Sequence, residues 1–190
     1  KEEIMNKINY TRRKFVQLSG TATVGGAVLS GIGLPREIIP QSRENSRTLR
    51  LGFVGIGGRG TYHLNCALGM EGIEVPAICE VIPKRLQAAK KRIMDTGLPE
   101  PRLYGRGVTD FKRLCDNEQL DAIICCTSWE WHTPVCLAAM NTDKHCVSEV
   151  PMVITLDEAW QIVETYERTG KWATIGLEGI GELALLINGE

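Results

Sequence analysis

Residues 49–60, LRLGFVGIGGRG, set the tightest limit on what this chain can fold into. An apolar run passes straight into a turn whose Gly55, Gly57 and Gly60 are spaced as G-x-G-x-x-G. Such a run reads as a buried strand feeding the amino terminus of a helix. Glycine-rich turns are common, so the spacing alone is weak. A second strand-like run, IEVPAIC, closes on Glu80, 25 positions beyond Gly55, against ~20 in the dinucleotide fingerprint. Strand, turn, helix and acid in this order make the pattern specific. Gly55 permits the tight turn, Gly57 lets backbone N–H groups approach a pyrophosphate, and Gly60 lets the helix pack on the strand. The helix amino terminus then favours the anion.

Strand-like and helix-like runs alternate through the rest of the chain. The strands are expected at 49–56, 73–79, 102–104, 120–127, 144–149 and 171–176. Helical periodicity fits 60–70, 83–95, 109–117, 132–142 and 155–169. Thr155 with Glu158 three residues on is a capping box, and Gly170 stands just past that helix as a stop. Near-continuous apolar strands separated by helices imply a parallel sheet covered on both faces. The fold class is therefore α/β, a Rossmann-type doubly wound parallel sheet in the order 3-2-1-4-5-6. Pro76 conflicts with this, since an interior strand needs its N–H; a bulge is one resolution.

Charge separates the amino-terminal segment from the body. Residues 1–50 carry nine Lys/Arg against four Asp/Glu, and residues 51–190 carry thirteen against nineteen. A mildly acidic body disfavours nucleic acid as a partner. Residues 1–35 contain Arg12 and Arg13 before Phe15 and a weakly apolar stretch up to Pro35, which resembles a twin-arginine export signal with Met5 as the expected start. Gln17, Ser19 and the glycines from Gly20 to Gly33 make it a poor stable membrane span. The expected location is periplasmic or exported. Residues 36–48 read as a polar linker. The seven cysteines show no CxxC and no metal-like spacing, so no metal site is expected. Cys79, Cys125, Cys126 and Cys146 fall on apolar strands, where Cys acts as a small hydrophobe.

The stretch IICCTSWEWHTPV (123–135) ends the fourth strand, and ligands of this fold lie outside the carboxyl ends of the strands. Trp129 and Trp131 are expected to wall the dinucleotide crevice, with Glu130 and His132 offering polar contacts. Alternatively, His132 simply opens the next helix and the indoles cover its base. Glu80 is expected to accept hydrogen bonds from the adenosine ribose and to repel a 2′-phosphate, favouring NAD over NADP. Lys84 and Arg85 stand near enough to hold such a phosphate, and Glu80 also reads as a solvated helix-cap carboxylate. Arg59 reads either as a pyrophosphate flank or as a solvated turn residue.

Taken together, GIGGRG followed by His63, AIC followed by an acid, T-x-WEWH, EVP (149–151) and ETYERTGK resemble the Gfo/Idh/MocA superfamily over residues 49–178. More narrowly they resemble glycoside hydrolase family 109, the NAD-dependent α-N-acetylgalactosaminidases, many of which carry twin-arginine signals. The resemblance implies that Gly58, Arg59, Glu80, Trp129, Glu130, Trp131, His132, Glu149 and Val150 contact NAD. It also implies Glu-Lys-Pro in ordinary sugar dehydrogenases of the superfamily, where the lysine transfers a proton. Val150 stands at that position and cannot do so. The activity implied is redox-neutral hydrolysis. The sugar 3-hydroxyl is oxidised, the aglycone is eliminated, water adds, and the hydride returns, so that an exported enzyme needs no fresh cofactor.

Members of that family continue into an α+β domain that carries the substrate pocket and the catalytic residues. Here residues 179–190 diverge, and Gly179 stands where the family has a cofactor-contacting asparagine. The expectation is an NAD-binding domain, 49–178, that lacks the usual C-terminal domain and holds no catalytic residues of its own. A carbohydrate would be a partner only if a second domain were supplied. An uncovered nicotinamide face would favour self-association. The alternative functions are an exported NAD(P)-dependent sugar oxidoreductase and a non-catalytic nucleotide-binding module.

Overall fold

The computed structural model describes residues 48–176. The expected export signal, nearly all of the linker and the divergent tail lie outside these residues. Six strands alternate with helices: β1 Leu49–Val54, α1 Gly58–Leu68, β2 Ile73–Cys79, α2 Pro83–Asp95, β3 Arg102–Tyr104 and α3 Phe111–Asn117. There follow β4 Ala122–Cys125, a 3₁₀ turn Trp129–Trp131, α4 His132–Asn141, β5 His145–Ser148, α5 Leu156–Thr169 and β6 Ala173–Ile175. Every strand pair is parallel, and the order is β3-β2-β1-β4-β5-β6. This is the doubly wound sheet expected from the alternation of apolar runs and helical periods.

Burial on both faces explains why the strands read as continuous apolar runs rather than alternating ones. All four residues of β4, AIIC, are buried. On one face Leu51, Phe53 and Ile78 pack with Leu64 of α1 and Ile93 of α2. On the other, Val54 and Ile123 pack with Leu114 of α3, Val135 and Met140 of α4, and Ile162 of α5. Each large side chain removed from water in this way contributes roughly 1.5–3 kcal/mol.

Local signals fix the helix ends. Pro83 opens α2, where its missing N–H and fixed φ do no harm. Thr155 and Glu158 form the reciprocal capping box of α5: the Glu158 N–H donates to Thr155 Oγ1 at 3.2 Å, and the Thr155 N–H to Glu158 Oε2 at 3.0 Å. Gly170 caps the far end in the left-handed conformation. Several element ends lie one or two residues from expectation, and two of these shape the glycine turn. β1 ends at Val54, and α1 begins at Gly58, so the first helical amides lie inside the glycine turn itself.

Pro76 is resolved by a slip in register. Arg50 pairs with Glu74, but Gly52 pairs with Ala77, so β2 carries one extra residue across this step. Pairing of β2 with β3 starts only at Ala77. Pro76 therefore occupies a bulge beyond the end of the β3 ladder, where its missing N–H breaks little. The seven cysteines are free thiols. Burial pushes the Cys79 and Cys125 thiols up to about 12, which leaves them as inert packing groups. Among the described residues, no helix is long and apolar enough to cross a membrane.

Candidate functional site

The order of the sheet reverses between β1 and β4. Outside the carboxyl ends of the strands at that point lies a cleft of about 500 Å³. Its walls come from the glycine turn, the Glu80 loop with Arg85, and the segment that follows β4.

Three glycines shape one wall. Gly55 has φ +84°, and a Cβ there would stand 2.6 Å from the Cys126 carbonyl oxygen, so the turn hugs the end of β4. A Cβ on Gly60 would stand 2.0 Å from the Gly55 carbonyl oxygen, which is how closely α1 approaches β1. Gly57 is the opposite case. A Cβ there would meet only Arg85 Nη1, at 3.8 Å, so the missing side chain leaves bare backbone facing the cleft. Next to it, the first amides of α1 have no intrahelical partner. Bare backbone beside unpaired amides fits a diphosphate.

Glu80, 5% exposed, ends β2 and faces the same cleft. It is not a solvated cap. Its Oε2 accepts the N–H of Ile56 at 2.7 Å and its Oε1 that of Ile82 at 2.9 Å. The carboxylate thus ties the glycine turn to the β2 loop. Each oxygen keeps a further lone pair that can accept a ribose hydroxyl.

Glu149, at the end of β5, accepts three hydrogen bonds. Arg59 Nε lies 2.6 Å from its Oε1 and His63 Nε2 2.9 Å from the same atom, while the Val150 N–H reaches Oε2 at 3.3 Å. Burial works against the charge on Glu149. The hydrogen bonds from His63 and Arg59 outweigh it, and the carboxyl is held below its ordinary range. The same pairing raises the Arg59 guanidinium, which also lies 5.5 Å from the Tyr62 ring. His63 was not among the expected site residues. The available signal was spacing: Arg59 and His63 are i and i+4, so they share one face of α1.

The four side chains of WEWH are placed differently. Trp131 is half-buried, lines the cleft and meets the Phe111 ring edge-on at 5.9 Å. Glu130 also lines it, holding the Ser128 hydroxyl at 2.8 Å, and this bond keeps its carboxyl below the ordinary range. Trp129 is 64% exposed and does not line the cleft. The His132 ring is turned inward, with Nδ1 2.7 Å from the Pro151 carbonyl oxygen and Nε2 3.0 Å from that of Thr127. It opens α4, and both ring nitrogens face backbone carbonyls of the β4 and β5 loops. Val150 is exposed and stands outside the cleft.

Residues 49–177 match the family model described as "Oxidoreductase family, NAD-binding Rossmann fold" (Gfo/Idh/MocA). The chain belongs to the Gfo/Idh/MocA family. Similar curated relatives include a glycosyl hydrolase family 109 protein of Shewanella pealeana, 40% identical over 65% of this chain and 27% of its own length. Another, from Saccharopolyspora erythraea, is 33% identical over 84% of this chain and 37% of its own length. As a Gfo/Idh/MocA domain, the chain thus spans about a third of the relatives it matches. Its fold also matches scyllo-inositol dehydrogenase of Lactobacillus casei, at TM-score 0.60 and 21% identity, covering 69% of this chain and 37% of that one. A structure of the same enzyme with bound NAD(H) and scyllo-inositol gives TM-score 0.58 at 22% identity, over 68% and 36%. At these identities the likeness establishes the fold.

Proposed function

We propose that this chain is the NAD-holding part of an exported, redox-neutral glycosidase acting on α-N-acetylgalactosaminides. The observation that carries the cofactor reading is the cleft itself, with the bare backbone of Gly57 on one wall and the Glu80 carboxylate on the other. When bound, the dinucleotide supplies a hydride acceptor for a sugar hydroxyl. The residues of this chain bind and orient it. The Gly55–Gly60 turn and the amino end of α1 receive the diphosphate, Glu80 accepts the adenosine ribose hydroxyls, and Trp131 stands as a flat wall across the cleft. Val150 supports the glycosidase branch over a dehydrogenase, since an isopropyl group transfers no proton. The similarity to relatives named for family 109 supports the same branch.

Titration of the full chain with NAD and NADP, beside an assay on a chromogenic α-N-acetylgalactosaminide, tests this reading. NAD is expected to bind more tightly than NADP, without turnover of the glycoside. Glu80→Gln removes the charge that repels a 2′-phosphate, together with one of the two backbone N–H bonds that Glu80 accepts, and should narrow the preference by about tenfold. Arg85, at the mouth of the cleft, then becomes the group able to hold that phosphate. Tighter binding of NADP by the unaltered chain would sink the assignment of Glu80. Clear turnover would show that the catalytic groups lie within these residues.

The export reading rests on Arg12 and Arg13. Replacing both with lysine is expected to leave the protein in the cytoplasm, and equal periplasmic yield of the two forms would refute it.

A further inference from the structure

α1 buries the imidazole of His63, 1% exposed, behind the glycine turn. Its Nε2 contacts Glu149 Oε1, and an ionised carboxylate only accepts, so the proton of that bond sits on Nε2. The other nitrogen, Nδ1, is buried with no hydrogen-bond partner among the described residues. Leucine or methionine would fill the same volume without leaving a polar atom unpaired. Packing alone therefore gives no reason for a histidine, and among the described residues its one hydrogen-bond partner is Glu149. The Arg59 Nε converges on the same carboxylate oxygen from one helical turn earlier. The two terminal nitrogens of Arg59 make no hydrogen bond among the described residues.

We propose that His63 is a positioning residue of the cofactor site. By holding Glu149 it holds the Arg59 guanidinium at the amino end of α1, with the terminal nitrogens left for the diphosphate of the dinucleotide. This role rests on the cofactor reading above. The chain of contacts is directional: His63 is fixed by burial, Glu149 by His63 and the Val150 N–H, and the long, exposed Arg59 by Glu149. An unheld arginine would sample many rotamers, and ordering it on binding would weaken the bond it makes.

The test is calorimetric titration of the full chain with NAD, ADP and adenosine, the last lacking phosphate. His63→Leu should lower affinity for NAD and ADP about tenfold, the worth of a charge-assisted contact, and leave adenosine unchanged. Arg59→Ala should do the same, and the double variant should be no weaker than Arg59→Ala alone. His63→Gln, whose amide nitrogen can donate to Glu149, should restore most of the loss. Glu149→Gln keeps the shape and loses the charge; it should show the same selective loss, and it serves if His63→Leu does not fold. Additive losses in the double variant would overturn the proposal, as would an equal loss for adenosine. Wild-type ADP affinity in His63→Leu or Glu149→Gln would overturn it as well. A native chain that binds none of the three ligands overturns the cofactor reading and this role with it.

Discussion

Gly60→Ala is expected to destabilise the domain by about 3 kcal/mol or more, at the severe end of single substitutions. The added Cβ would stand 2.0 Å from the carbonyl oxygen of Gly55. That neighbour is backbone, so no change of rotamer can relieve the contact. Gly55 is itself held, because its N–H donates to the Cys79 carbonyl at 2.8 Å and its left-handed φ of +84° sets the turn. Relief must therefore come from moving α1 away from β1, which opens the core around Leu64, Ala67 and Phe53. At roughly 3–6 °C of melting temperature per kcal/mol for a domain of this size, the midpoint should fall by about 10 °C or more. Chemical denaturation and a thermal melt give the result directly. A Gly60→Ala variant within about 0.5 kcal/mol of the parent would mean that α1 does not approach β1 as described.

Much of the fold was legible because burial on both faces leaves a plain mark on the sequence. AIIC and LGFV are continuous apolar runs, and a run of that kind bounded by glycine or a carboxylate is a central parallel strand. The capping box at Thr155 was legible for a related reason: both of its partners lie within four residues. Pro76 was legible as a conflict that a bulge would resolve, but a bulge is a property of two strands, and the slip shows only when Gly52 is found opposite Ala77.

Legibility fell away wherever a partner was distant or was backbone. Glu80 was readable as an acid at the end of β2, but its hold on the Ile56 N–H joins residues 24 apart through an atom every residue has. His63 and Glu149 lie 86 positions apart and meet only because β5 lies beside β4 and β4 beside β1. In WEWH, neighbouring positions suggested a shared role. A 3₁₀ turn has about three residues per turn, so Trp129 and Trp131 point in different directions, and only Trp131 reaches the cleft. His132, next along, is the first residue of α4, and its ring is turned toward carbonyls of both adjoining loops.

Gly57→Leu is expected to do the reverse of Gly60→Ala, abolishing cofactor binding while leaving the fold intact. Gly57 has φ −75° and ψ −155°, an extended conformation open to any L-residue, so the backbone is not strained by a side chain. A Cβ there meets only Arg85 Nη1, at 3.8 Å, the far end of a flexible side chain. Gly57 is the N-cap of α1, where leucine is disfavoured, so stability should fall by about 1 kcal/mol, well short of the loss at Gly60. The isobutyl group, however, must extend into the cleft of about 500 Å³, over the backbone that would receive the diphosphate. Keeping the phosphates even one ångström from the amino end of α1 forfeits their hydrogen bonds to its free amides, and NAD affinity should fall by about 100-fold or more. The two glycines stand three residues apart in one motif, yet one is expected to serve packing and the other the ligand. Thermal melts of both variants beside NAD titration separate the roles. A folded Gly57→Leu variant with native NAD affinity would show that the dinucleotide does not lie against this turn, and the cofactor site would have to be sought elsewhere on the sheet.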